Sequence, residues 1–243
     1  METLISTQFH TALYHQALLL ISLAGLALAA TTRPPARPAV HPRPSQPAHL
    51  LSGFAGIFVL RLATAVVPLN ALAAQPVERI TDMGCLALLT WMAIPAFNRH
   101  KYISAAWLAL HAMLIAAYVG VTVAANATSA APAVHYNLTP PAHLWAIWLV
   151  VTVVAAIVAL ASVGSSHPLE GRPESRSLVL LALGTLLIGY DFHLLALANV
   201  LPPYPPPDNV AGWARCAQII AYPVLISAFF STSQRSKEQH NKP

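Results

Sequence analysis

The stretch SLVLLALGTLLIGYDFHLLALANVL, residues 177–201, is followed by PPYPPPDNVAG, residues 202–212, and by WARCAQIIAYPVLISAFF, residues 213–230. Two apolar segments of membrane length are therefore joined by a proline-rich loop. A bilayer core about 30 Å thick needs about 20 apolar residues in helical form. The first segment contains one aspartate, Asp191, and the second has one arginine, Arg215, near its start. An ionised carboxylate in lipid is costly, so Asp191 is expected to face a partner or a polar cavity.

The composition of the whole chain agrees with this membrane assignment. The chain has 243 residues, of which 56% are hydrophobic and only 9% are charged. A soluble domain carries about 25% charged residues, so this chain could not cover a water-facing surface. The basic residues lie in short loops rather than in one patch, which argues against a nucleic-acid partner. The lipid bilayer is therefore the predicted environment.

The apolar segments predict an all-α polytopic membrane protein, a bundle of seven transmembrane helices. The predicted single domain covers residues 1–230, and residues 231–243 form a basic cytoplasmic tail. A signal peptide is disfavoured for the first segment, because the first ten residues contain Glu2 and no Lys or Arg. The predicted helices lie at about 11–30, 49–67, 81–97, 103–125, 144–163, 178–201 and 211–230.

Basic residues in the loops predict the orientation. One side of the predicted bundle collects Arg33, Arg37, Arg43, Arg99, Lys101, Arg172, Arg176, Arg235, Lys237 and Lys242. The opposite side has only Arg79 and Arg215, and Arg61 lies within a segment. By the positive-inside rule the first side is cytoplasmic, which puts the N-terminus outside and the C-terminus in the cytoplasm of a multi-pass plasma (inner) membrane protein.

Charged residues gather in the predicted outer half. Arg61 and Asp191 are expected at similar depth, so we predict that they pair. Three arginines and three acids form the candidate site: Arg61, Glu78, Arg79, Asp82, Asp191 and Arg215. Two interpretations remain open, namely structural ion pairs between helices and an outward-facing ligand cavity. Such a cavity would favour an anionic or carboxylate-bearing ligand, although the acids nearly neutralise the arginines.

Other site classes have little support in the sequence. Asp191 and His193 lie about 200° apart around a helix, so they cannot easily share a metal ion. His111 has no histidine at matching depth to share a haem, and no lysine within a segment could hold retinal. The chain shows no catalytic pattern. We therefore predict no metal, no cofactor and no enzymatic activity.

Two patches resemble a known family. The first is Pro76-Val77-Glu78-Arg79 followed by Asp82 and Trp91, and the second is GWARCAQIIAYP, residues 212–223. Both resemble the seven-helix membrane input regions that precede GAF domains and histidine kinase cores in sensor proteins of Chloroflexi-type bacteria. The resemblance implies a sensory or membrane-anchoring role. This sequence departs from that pattern, since it ends at STSQRSKEQHNKP without GAF or kinase sequence.

Three functions are compatible with these features. The first is a signal-input module of the membrane that acts through a separate cytoplasmic or membrane protein. The second is a structural or assembly subunit of a larger membrane complex, which the alanine- and glycine-rich surfaces favour. A small-solute transporter ranks third, because the predicted inner halves contain few polar groups beyond His111. The sequence does not define an oligomeric state.

Overall fold

The computed structural model describes residues 2–31, 46–66, 74–94, 97, 100–128, 140–163, 173–201 and 212–240. Over these residues the chain forms long α-helices and no strand, which confirms the predicted all-α class. The seven helices are α1 Glu2–Thr31, α2 Gln46–Val66, α3 Ala74–Ala93, α4 Lys101–Thr128, α5 Pro140–Val163, α6 Pro173–Leu197 and α7 Gly212–His240.

Six of these helices are long and apolar enough to cross a membrane. Their spans are Ala12–Thr31, Ala48–Ala65, Lys101–Ala124, His143–Ala161, Arg176–Leu197 and Gly212–Phe230. The remaining helix, α3, has enough residues but carries Glu78, Arg79 and Asp82 in its first half. A chain with six such helices is expected to be a multi-pass membrane protein.

The helix ends differ from the predicted ones at several places. Helix α3 begins at Ala74 rather than near 81, so Glu78 and Arg79 are helical residues and not loop residues. Pro76 is tolerated there because the first turn of a helix does not need its missing N–H. Helix α1 begins at Glu2 rather than near 11, and α7 continues to His240, ten residues beyond Phe230.

The C-terminal end of α6 is fixed by a left-handed residue. Asn199 has a φ of 58°, a conformation that asparagine tolerates better than most residues. The N–H groups of Asn199 and Val200 donate to the carbonyls of Ala196 and Leu195 at 3.1 and 2.8 Å. These bonds satisfy carbonyls of the last turn, so the helix stops at Leu197 although apolar residues continue to Leu201.

Helices that are consecutive in the chain pack against each other, and the last helix also packs against the first. Each helix contacts the next one along the chain, and α7 returns to contact α1. Helix α3 also contacts α5 and α7, which makes it the inner helix of the bundle. Its residues from Thr81 to Met83 and from Cys85 to Ala87 are buried. Helix α4 lies at the periphery, since only 17% of its span is buried, against 44% for α7.

Candidate functional site

Five of the six candidate residues lie on the helices that meet around α3. Arg61 comes from α2, Glu78, Arg79 and Asp82 from α3, and Arg215 from α7. Glu78 and Asp82 are four residues apart, so they share one face of α3. Arg79 follows Glu78 directly and therefore points in a different direction. Arg79 therefore leaves α3 in a different direction from Glu78 and Asp82.

Arg61 is bound to Asp82, and the predicted Arg61–Asp191 pair is wrong. The Arg61 guanidinium is fully buried, and its Nη1 donates to Asp82 Oδ1 at 3.1 Å. Its Nη2 donates to Gln218 Oε1 and to the Tyr222 hydroxyl, both at 3.0 Å. Asp191 is exposed on the outer surface of α6. Matching depth along two helices does not bring two side chains together when one of them faces away from the bundle.

Arg215 and Glu78 form a second ion pair with two parallel hydrogen bonds. Arg215 Nε donates to Glu78 Oε1 at 2.9 Å, and Nη2 donates to Oε2 at 2.8 Å. His15 Nε2 lies 3.9 Å from the same Oε2, and the Arg215 guanidinium lies 5.1 Å from the centre of the Tyr14 ring. This bidentate geometry is the strongest form of arginine–carboxylate contact, and it ties α7 to α3.

Gln218 joins the Arg61–Asp82 pair to two further helices, α1 and α6. Its Oε1 accepts a hydrogen bond from the Tyr14 hydroxyl at 2.6 Å, in addition to the bond from Arg61. Its Nε2 donates to the Tyr190 hydroxyl at 3.3 Å. The sequence prediction missed these neutral residues, although Arg215, Gln218 and Tyr222 share one face of α7 by helical spacing. Gln218 and Tyr222 could have been predicted from this spacing, because it puts them on the same helix face as Arg215.

We call this set the buried polar network. It draws side chains from α1, α2, α3, α6 and α7, and its two arginines balance its two carboxylates. Its members are Tyr14, His15, Arg61, Glu78, Asp82, Tyr190, Arg215, Gln218 and Tyr222. Buried charges need partners of this kind, because an uncompensated charge in a low-dielectric interior is strongly destabilising.

Two nitrogens of the network, Arg61 Nε and His15 Nδ1, are buried without a hydrogen-bond partner among the described residues. The other nitrogens of Arg61 bind three different side chains, from α3 and α7. An arginine with five donor positions and an unfilled one can exchange acceptors without losing every bond.

Arg79 lies against an aromatic ring. Its guanidinium carbon is 3.7 Å from the centre of the Trp145 ring, a cation–π contact between α3 and α5. The His193 ring meets Trp145 edge-on, with centroids 5.0 Å apart. His193 is buried whereas Asp191 is exposed, so the two side chains face in opposite directions.

His111 belongs to a separate contact between α4 and α5. Its Nδ1 lies 2.9 Å from the Trp107 carbonyl and its Nε2 lies 3.4 Å from Thr152 Oγ1. Both ring nitrogens are therefore engaged within the protein. Across the described ranges, no three His, Cys, Asp or Glu side chains are grouped so that they could hold a metal ion.

The arrangement as a whole is a hydrogen-bonded junction rather than a row of free charges. Its arginine donors are bound largely to carboxylates and hydroxyls of the same chain, so an anion would have to displace them. Comparison with protein-family models, with curated proteins and with solved structures finds no match to this chain.

Proposed function

We propose that this chain is a signal-input module of the membrane, without catalytic activity of its own. In this proposal the buried polar network is the part that responds to a signal, and α7 transmits the response. The observation that carries the proposal is that α7 both supplies side chains to the network and extends beyond the apolar span. One face of this helix supplies Arg215, Gln218 and Tyr222 to the network, and the same helix continues without interruption to His240.

Pro223 supports the assignment of α7 as the moving element. It follows Tyr222 directly and lies inside the helix. Proline cannot donate to the carbonyl four residues earlier, and its ring crowds that carbonyl, so a helix bends most easily there. A change of partner at Gln218 or Tyr222 would therefore be felt at the point where α7 resists bending least. The ten residues beyond Phe230 would carry that movement out of the apolar span.

The ligand-cavity hypothesis belongs to this proposal. The proposed ligand is a small anion or carboxylate that replaces Glu78 at Arg215 or Asp82 at Arg61, since guanidinium groups recognise carboxylates bidentately. Five of the candidate residues, Arg61, Glu78, Arg79, Asp82 and Arg215, lie on the helices that meet around α3, and Asp191 does not line this region. Such an exchange would release one acid of the chain and rearrange the contacts of α7.

A distance measurement tests the movement of α7. Spin labels are placed at positions 161, at the end of the α5 span, and 233, in the extension of α7, in a Cys216→Ser background. Gln218→Leu removes the central hydrogen bonds of the network, and we expect it to shift the distance distribution by about 1–2 Å, the usual size of a helix displacement. Thr185→Val is the control, because Thr185 is half-buried on α6 and its hydroxyl donates to the Leu181 carbonyl of the same helix.

A second reading of the same geometry is a structural or assembly subunit. The observation that favours it is that the four charges of the network are paired with one another across three helices. In that case Gln218→Leu lowers the unfolding temperature and leaves the distance distribution unchanged. That result would exclude the signal-input proposal in its present form.

Thermal unfolding with small anions tests the ligand. Stabilisation should grow with anion concentration by mass action and should shrink in Arg61→Gln and Arg215→Gln. Asp191→Asn is the matched control and should leave the stabilisation unchanged, because Asp191 faces away from the network. Stabilisation that survives both arginine substitutions would place the anion elsewhere.

A further inference from the structure

Asp191 is an acid on the outer surface of an apolar span. It is exposed, and it lies within the Arg176–Leu197 span of α6. Leu197 ends the helix about six residues later, so the Asp191 backbone lies about 9 Å inside that end at 1.5 Å per residue. A charged side chain at the centre of a membrane helix costs about 2.5–3.5 kcal/mol on insertion scales, and the cost falls toward the helix ends. A short aspartate side chain cannot reach the interface as a lysine or arginine can.

This chain offers no cation to Asp191 within its described residues. At the same end of the bundle, Arg61 pairs with Asp82, Arg215 pairs with Glu78, and Arg79 stacks on Trp145. Arg176 lies at the opposite end of α6 and donates to the Leu160 carbonyl. The sequence stretches that follow α2, α4 and α6, residues 67–73, 129–139 and 202–211, contain no Lys or Arg.

The surface next to Asp191 suits a second helix. Leu181, Gly184, Ile188 and Asp191 are spaced by three and four residues, so they form one stripe along α6. Leu181 is 61% exposed and Ile188 is 57% exposed. A side-chain carbon added at Gly184 would meet nothing within 4 Å, so a neighbouring backbone could approach closely there.

We propose that this stripe of α6 is the docking surface for a transmembrane helix of another chain, and that this helix carries an arginine or lysine at the depth of Asp191. Opposite charges in a low-dielectric layer attract strongly, and their pairing offsets part of the cost of a lipid-facing carboxylate. A second copy of this chain does not fit, because a symmetric contact would place two Asp191 carboxylates together. This docking surface is separate from the proposed signal-input site, because Asp191 is not part of the buried polar network.

Binding of synthetic helices in lipid vesicles tests the proposal. The probe is a fluorescent transmembrane peptide of leucines with one arginine about 9 Å from one end, and its counterpart has leucine at that position. Energy transfer from the full-length labelled protein reports binding. We expect the arginine peptide to bind the native chain about tenfold more tightly than it binds Asp191→Asn, a difference of about 1.4 kcal/mol. The leucine peptide should not distinguish the two proteins.

Two further variants separate the stripe from the rest of the lipid-facing surface. Gly184→Ile should weaken binding by filling the open space at Gly184, two helical turns from Asp191 in the same stripe. Gly120→Ile is the matched control, because Gly120 lies on α4 and also has open space around it. Equal binding of the arginine peptide to the native chain and to Asp191→Asn would overturn the proposal. Self-association of the native chain that depends on Asp191 would overturn it as well, in favour of a second copy.

Discussion

Asp82 and Asp191 are both aspartates of helices in this bundle, yet their surroundings are opposite. Asp82 is 2% exposed and receives a hydrogen bond from Arg61, whereas Asp191 is exposed on α6. The difference follows from which side of each helix faces α2 and α7. Asp82 therefore has a basic partner in the same chain, and Asp191 has none among the described residues.

Arg61 and Asp82 are expected to be strongly coupled in stability. Arg61→Met or Asp82→Leu alone leaves the other charge buried without its partner and should cost about 3–5 kcal/mol. The double variant removes both charges, so its loss should be clearly smaller than the sum of the single losses. Reversible unfolding in detergent micelles measures the three values. The same cycle with Arg61→Met and Asp191→Asn is the control and should give additive losses, since those residues do not touch.

The sequence did not predict which of the six charged residues pair with one another. Counting residues gave Arg61 and Asp191 a similar depth, but depth does not define the direction in which a side chain leaves its helix. The four-residue spacing of Glu78 and Asp82 does indicate direction, because residues at that spacing lie on one face of a helix. The spacing of Arg215, Gln218 and Tyr222 indicates a shared face in the same way. Tyr14 and Tyr190 could not have been chosen, because an amphipathic tyrosine in an apolar helix has no sequence feature that separates packing from hydrogen bonding.

At the scale of the elements, α3 is distinct from the other six helices. Its charged first half keeps it out of the set of apolar spans, and its position inside the bundle gives those charges their partners. The prediction began this helix near residue 81, because Pro76, Glu78 and Arg79 read as loop residues in a membrane protein. Contacts with other helices make these residues compatible with a buried helix. Glu78 accepts hydrogen bonds from Arg215, and the Arg79 guanidinium lies over the Trp145 ring.

The contact between α6 and α7 is the most extensive in the bundle, and it depends on a glycine. A side-chain carbon at Gly189 would collide with Ala217 Cβ and would lie 3.0 Å from the Trp213 carbonyl oxygen. We expect Gly189→Ala to force the two helices apart and to cost about 1–3 kcal/mol in unfolding free energy.

Gly184→Ala is the matched control for that substitution, because it lies on the same helix with open space around it. It should be neutral or should stabilise α6 by up to about 1 kcal/mol, since alanine is the better helix former. Thermal unfolding of both variants measures the difference. Equal stability of the two variants would show that α6 and α7 are not in close contact at Gly189.

At the scale of the whole molecule, the remaining question is whether α3 crosses the membrane. If all seven helices cross, the ten basic residues of the loops and the tail lie on one side, as the sequence predicts. If α3 does not cross, Arg33, Arg37 and Arg43 are separated from the other seven basic residues by the membrane. The positive-inside rule favours the first arrangement, and the buried pairs of Glu78 and Asp82 make such a crossing feasible.

Reporter fusions decide between the two arrangements. With seven crossings, fusions after Pro38, Ser165 and Gln239 should all report the cytoplasm, and a fusion after Asn70 should report the outside. If α3 does not cross, the Pro38 fusion should report one side of the membrane, and the Ser165 and Gln239 fusions the other. The Pro38 and Ser165 fusions therefore carry the test, because an odd or even number of crossings between them depends on α3 alone. A split between these two positions would leave six crossings and both termini of the bundle on one side.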